Sequence, residues 1–184
     1  MLRIIFISVI VLAAGLLFLQ GRLLERSNDK PVFLTTDKIA DAHHTKIDVS
    51  VQSVYKPDSI QVETLKKDYS NLWAHLNHLF ATNEVEKGKE YYTEPWFRQL
   101  CSHYKNVIEL TGIVRKDVSH QLVIQNWSSD GLVCTAIDSS VVFKYTYPNK
   151  SSSSTKAKIA VVMLYQGDHW RIDAIKIIEE LPAN

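Results

Sequence analysis

Between Pro57 and Glu84 the chain reads PDSIQVETLKKDYSNLWAHLNHLFATNE, and this stretch limits the possible folds more than any other. Val62, Leu65, Tyr69, Leu72, Trp73, Leu76, Leu79 and Phe80 recur every three or four residues. At 3.6 residues per turn they share one face, so the spacing predicts a long amphipathic helix. Asp58 with Gln61 three residues later is the pattern of a capping box just after Pro57. A helix with one apolar face must bury that face against another layer, so the question becomes what the rest of the chain supplies.

The next segments are shorter. EVEKGKEYY reads as a second helix or a turn. TEPWFRQLCSHYKNV reads as a further helix, with Thr93 as its cap and Pro95 in the first turn. Trp96, Phe97, Leu100, Cys101 and Tyr104 then share a face, which points Cys101 inward. NVIELTGIVRKD is compatible with either a helix or a first strand. Beyond it the period changes from helical to extended. SHQLVIQNW and LVCTAIDSSVVFKYTY flank Asp130-Gly131 as a hairpin, and PNKSSSS turns the chain again. TKAKIAVVMLY and HWRIDAIKII flank Gly167-Asp168 as another. Helices first and long hairpin strands afterwards give an α+β class with a curved antiparallel sheet.

The front of the chain has a different character. Ile4 to Leu19 is apolar apart from Ser8 and Gly15, long enough as a helix to span about 24 Å, and Gln20 to Leu24 can add the last turn. A cleaved signal peptide is the competing reading, but no clear cleavage site follows Leu19. The expected organisation is a membrane anchor over residues 1–24, a stalk over 25–56 and an α+β domain over 57–181. IDVSVQSVY, within the stalk, has the alternation of a short strand. Arg22, Arg26 and Lys30 after the segment favour a cytoplasmic C-terminal part, whereas a short basic start before an apolar run resembles an export signal. The expected location is a single-pass inner membrane protein with its C-terminal domain exported to the periplasm or cell exterior.

The formal charge is +1 over 184 residues, which provides no global field for nucleic acid. Two cysteines, Cys101 and Cys134, are too few for a disulfide framework and read as buried apolar residues. No phosphate-binding glycine loop, dinucleotide fingerprint or nucleophile elbow occurs. Neither a cofactor nor a metal is expected. His75 and His78 are three residues apart on the long helix, with His75 at the edge of its apolar face, and no further ligand pattern completes a zinc set.

A long amphipathic helix, a short helix before YYTEPWFRQL, and antiparallel strands ending in GDHWRIDAIKI resemble the nuclear transport factor two-like superfamily. The resemblance covers about Pro57 to Glu180. It implies a bent sheet wrapped around helices as a cone. Members of that superfamily include small enzymes with an acidic base inside the cone, and non-catalytic dimerisation or scaffold domains. The layout of anchor, stalk and cone is similar to the membrane-anchored periplasmic assembly factors of type IV secretion and conjugation systems. That layout implies partnership with protein subunits of an envelope complex, contact with the membrane through residues 2–24, and a homo-oligomer as a further expectation. A small enzyme or hydrophobic-ligand carrier using the interior is the alternative.

Two sets of residues separate these readings. Trp73, Trp96, Phe97 and Tyr145 would line the interior of the cone and, if packed there, leave little room for reactants. Acid-base chemistry would need a carboxylate inside, with a donor such as Tyr92, Tyr145 or His120. Simple alternation puts Val133, Ile137, Val141, Phe143 and Tyr145 against the helices and turns Asp138 outward, unless a bulge reverses the phase. On the last strand, alternation puts Trp170, Ile172, Ala174 and Ile178 on one face. Arg171, Asp173, Ile175 and Ile177 fall on the other, as a candidate partner interface.

Overall fold

The computed structural model describes residues 37–105 and 112–183. The expected membrane anchor and the first part of the expected stalk, residues 25–36, lie outside these residues, and among the described residues no helix is long and apolar enough to cross a membrane. In chain order the elements are α1 (Lys38–Asp41), β1 (Lys46–Val51), α2 (Ser59–Thr82), a 3-10 helix (Val85–Tyr91) and α3 (Glu94–Tyr104). Four long strands follow: β2 (Val114–Trp127), β3 (Val133–Thr146), β4 (Ser152–Tyr165) and β5 (Trp170–Pro182).

Helix α2 starts as its sequence requires. Asp58 accepts from the Gln61 backbone at 2.8 Å, and Gln61 returns a side-chain oxygen to the Asp58 N–H at 2.9 Å. The helix ends at Asn83, whose left-handed φ of 60° is tolerated best by glycine and asparagine. Leu65, Tyr69, Leu72, Trp73 and Leu79 are buried, as the helical period predicts. Each such side chain removed from water contributes about 1.5–3 kcal/mol. The buried stripe also takes in Asp68, His75 and Asn77, so it is wider and more polar than the apolar spacing implied.

The strands form one five-stranded sheet in the order β1-β2-β3-β4-β5. The three hairpin pairings are antiparallel, but β1 runs parallel to β2, with Ile47 opposite His120 and Val49 opposite Leu122. The sheet is therefore mixed rather than antiparallel. A parallel neighbour needs a long crossover, and here the segment holding α2, the 3-10 helix and α3 provides it. Residues expected to be stalk thus belong to the domain. The compact unit begins at Thr36, and β1 supplies its edge strand.

Bulges set which side chains face α2. Along β3, Cys134, Ala136, Asp138 and Ser140 are buried, and then Val141 and Phe143 are buried instead. The register with β4 slips between Asp138 and Val141, so one extra residue reverses the alternation there. Asp138 consequently points inward and is wholly buried, opposite to simple alternation. A second slip lies in β5, where Met163 pairs with Ile172 but Val162 pairs with Ala174, leaving Asp173 as the extra residue. Ile175 and Ile177 then stand opposite Val161 and Ile159, both buried. Opposed residues share a side of a sheet, so these two isoleucines belong to the concave, helix-bearing side. They are not on one face with Arg171.

Helix α3 packs at the β5 edge, against the 3-10 helix and β5. None of its residues is buried, and Cys101 is half-exposed rather than turned into the core. The expected cap does not form. Thr93 gives its hydroxyl to Asp173 at 2.8 Å instead, and its N–H to the Ile172 carbonyl at 2.9 Å.

Candidate functional site

The centre of the molecule is a run of hydrogen-bonded polar side chains inside an aromatic shell. From β2, His120 projects inward between two aspartates. Its Nδ1 lies 2.6 Å from Asp138 Oδ2, and its Nε2 lies 2.8 Å from Asp117 Oδ2. Tyr69 of α2 donates its hydroxyl to Asp138 at 3.0 Å, and the Gln121 N–H donates to the other Asp138 oxygen. Asp117 receives His43 Nε2 at 2.8 Å and the Asn77 amide. His43 also meets the Ser70 hydroxyl at 3.2 Å.

The side chains of Asp117, His120 and Asp138 are all fully buried. With a carboxylate at each ring nitrogen, His120 donates twice and is an imidazolium. Burial opposes its charge, but the bonds to Asp117 and Asp138 outweigh that and raise its pKa above the usual histidine value. Burial likewise works to raise Asp117, yet the His120 and His43 bonds hold its carboxyl far below the ordinary range. Burial, followed by the Asp138 charge, pushes the Tyr69 hydroxyl well above its normal pKa. The aromatic shell is close: the Trp73 ring centre lies 5.2 Å from His120 and 5.3 Å from Phe143.

Arg115 lies two residues before Asp117 on β2. Its guanidinium sits over Phe80, Phe143 and Trp73 at 4.7, 5.1 and 5.7 Å from the ring centres. Its Nε donates to Asn77 and its Nη2 to the Leu76 carbonyl. Asn77 thus links Arg115 to Asp117. This end of the network opens into a cleft of about 390 Å³. Ile39, Ala74 and Ala81 form apolar walls, Asn77, Arg115 and Asp117 contribute to the lining, and His44 and Lys116 lie at the exposed rim.

A second polar group ties the N-terminal arm to α2. Asp37 caps α1 and also meets His75 Nε2 at 2.7 Å and the Tyr91 hydroxyl at 3.1 Å. Burial outweighs Asp37 and lowers the His75 pKa. Burial also opposes the charge on Asp37, but the bond from His75 and the other donors keep its pKa low. A neutral His75 donating from Nε2 satisfies both, and it leaves Nδ1 as the bare nitrogen with no partner.

Of the residues expected to line the interior, Trp73 does so. Tyr145 is half-buried at one end, with its hydroxyl 3.2 Å from Glu180. Trp96 and Phe97 do not join them, because α3 sits at the sheet edge. Arg171 and Asp173 serve the same edge. Asp173 accepts from Thr93, and the Arg171 guanidinium lies 3.9 Å from Glu90 and 4.0 Å from Asp168. His75 is buried and bound to Asp37, whereas His78 pairs with Glu84 at 2.8 Å. Among the described residues no cluster of histidine, cysteine and carboxylate side chains is arranged to hold a metal. Cys134 is buried, which pushes its thiol up to about 12.

Sequence reading missed the joint role of His43, Asp117, His120 and Asp138. These residues come from the arm and two strands, 95 positions apart at the extremes, and the only sequence signal was the presence of charged residues inside apolar strands.

The opposite, convex side of the sheet is also chemically distinct. Val123 pairs with Ile137, and Ile137 with Ala160; Val162 pairs with Thr135 and Ala174; Leu164 pairs with Val133. All alternate with buried inward residues, and all are half-buried, without a described layer over them.

No family model and no curated protein matches the chain. Among solved structures, the intermembrane space region of the chloroplast protein ARC6 is similar in outline. It is 11% identical over 67% of this chain and 98% of that one, with a TM-score of 0.44.

Proposed function

We propose that this chain is a non-catalytic interaction subunit of a cell-envelope assembly, held at the membrane by residues 2–24 with its α+β domain exported. The layout expected from the sequence, an apolar anchor before a helix-and-sheet domain, resembles subunits of secretion and conjugation machines. The observation that carries the reading is the convex sheet face. Val123, Ile137, Val162 and Leu164 form an apolar patch across three strands, and apolar surface left contiguous and uncovered is characteristic of a partner site. The concave face supports the same reading, since Trp73, Tyr69, Phe143 and the His120-centred hydrogen-bond network occupy it. The partner is another protein subunit of the envelope complex, and the anchor raises its effective concentration near the domain.

The test is photo-crosslinking in native membranes with the full chain. A photoreactive residue at Ile137 or Val162 should give a discrete adduct with an envelope protein, and the same residue at exposed Gln166 should not. Ile137→Asp with Val162→Asp should abolish an adduct formed from position 123 while leaving the melting temperature within a few degrees. Absence of any adduct from the convex positions, with the protein monomeric at high concentration, would remove the proposal.

A further inference from the structure

We infer that the cleft beside α2 is a binding site for a small oxyanion, a phosphate or carboxylate carried on a compact apolar body. The starting point is Arg115. Its guanidinium is enclosed by three aromatic faces and makes its two hydrogen bonds to neutral acceptors, Asn77 Oδ1 at 2.9 Å and the Leu76 carbonyl at 3.0 Å. Among the described residues it forms no ion pair within 4 Å, and the Asp117 and Glu180 charges act on it from farther away. Burial opposes the guanidinium charge, and a partly buried cation is stabilised most by an acceptor that can take two parallel N–H bonds.

Asp117 is not that acceptor. Its carboxylate is committed to His120, His43 and Asn77, and its side chain, though part of the lining, is fully buried. The remaining polar groups around the opening are basic side chains. Lys116 brings a cation and His43, His44 and His78 bring imidazoles, His43 already bound to Asp117 and Ser70 and His78 to Glu84, which is not part of the lining. The walls from Ile39, Ala74 and Ala81 are apolar. A volume of about 390 Å³ matches a small metabolite or headgroup. The Arg115 residue, a basic rim and apolar walls thus meet at one opening. This inference does not rest on the convex-face reading, and either can fail alone.

The experiment is a titration of the full chain in detergent with inorganic phosphate and, separately, with succinate, followed by calorimetry and by the side-chain NMR signal of Arg115. Saturable binding of one probe, with the Arg115 signal shifted, is expected. Arg115→Gln should weaken it about tenfold or more, the scale of one lost charge-assisted pair. Because Arg115 also packs in the core, Lys116→Glu with His44→Glu provides an independent check at exposed positions. It should weaken binding by a similar factor with an unchanged melting temperature. Vesicles containing phosphatidic acid distinguish the source: tighter binding to them than to free phosphate identifies a lipid headgroup, and equal or weaker binding identifies a soluble ligand. No saturable response to phosphate, succinate or vesicles overturns the inference, as does wild-type affinity in the Lys116 and His44 double variant.

Discussion

His120 Nδ1 and Asp138 Oδ2 are 2.6 Å apart at the centre of the domain, and neither side chain is exposed to solvent. The contact joins β2 to β3 on the side facing α2, and Tyr69 adds the helix to it. A buried charge of this kind is tolerated because every partner is present, so its removal is costly even where its formation adds little net stability.

His120→Ala should therefore destabilise the domain by about 3–5 kcal/mol, because it leaves two carboxylates buried without their cation. At this chain length each kcal/mol lowers the melting temperature by about 2–4 °C. Asp138→Asn should cost less than His120→Ala. A double-mutant cycle between the two positions measured by denaturant unfolding should give a strong coupling energy, and additive losses would show that the pair is not cooperative.

The pH dependence follows from the directions of the shifts. His120 has a raised folded pKa, so its contribution is complete below the ordinary histidine value of 6.5 and is lost as pH rises through the folded value. Asp117 has a depressed folded pKa, so its contribution is present above 3.8 and is lost as pH falls through the folded value. Asp68 runs the other way. Burial raises it to about 6, so stability falls as pH rises from 3.8 toward that value. Removing this opposing slope with Asp68→Asn should leave the protein relatively more stable at pH 7 than at pH 4, compared with the wild type. Melting temperatures across pH 4–9 for wild type, His120→Gln and Asp68→Asn check all three signs.

The N-terminal arm should be held by its histidine pairs rather than by apolar burial. None of the α1 residues is buried, while Asp37 and His43 reach His75, Tyr91, Asp117 and Ser70. His43→Ala should cost about 1.5–3 kcal/mol, the range for a bond to a charged group. It should also expose the segment 37–45 to limited proteolysis. Unchanged cleavage and stability would mean that the arm is retained by other contacts.

Gly88 is required by a close approach. A Cβ there would fall 2.6 Å from the Tyr92 hydroxyl and 2.9 Å from its ring, and Tyr92 is buried. Gly88→Ala should cost about 1–3 kcal/mol by overpacking. Adding Tyr92→Phe should recover part of that loss by removing the nearest atom, and thermal melts of the single and double variants decide it.

The long helix, its capping box and the strands around Asp130-Gly131 and Gly167-Asp168 were legible in the chain alone. Each rests on neighbours within a few residues: side-chain period, a cap three positions away, or a turn dipeptide with glycine at positive φ. The class, helices packed on a sheet, follows from the order of those elements. What the chain alone left undetermined depends on residues distant in sequence. One extra residue after Asp138 turned that carboxylate from the convex face to the core, because a two-residue period inverts wholly at a bulge. Another at Asp173 moved Ile175 and Ile177 to the concave side. The pairing of β1 with β2, and the meeting of His43, Asp117, His120 and Asp138, exist only once the crossover has brought the arm back to the sheet. Local periodicity thus specified the elements, whereas register and long-range hydrogen bonding, which carry no local signal, decided which charges are buried and what faces the cleft.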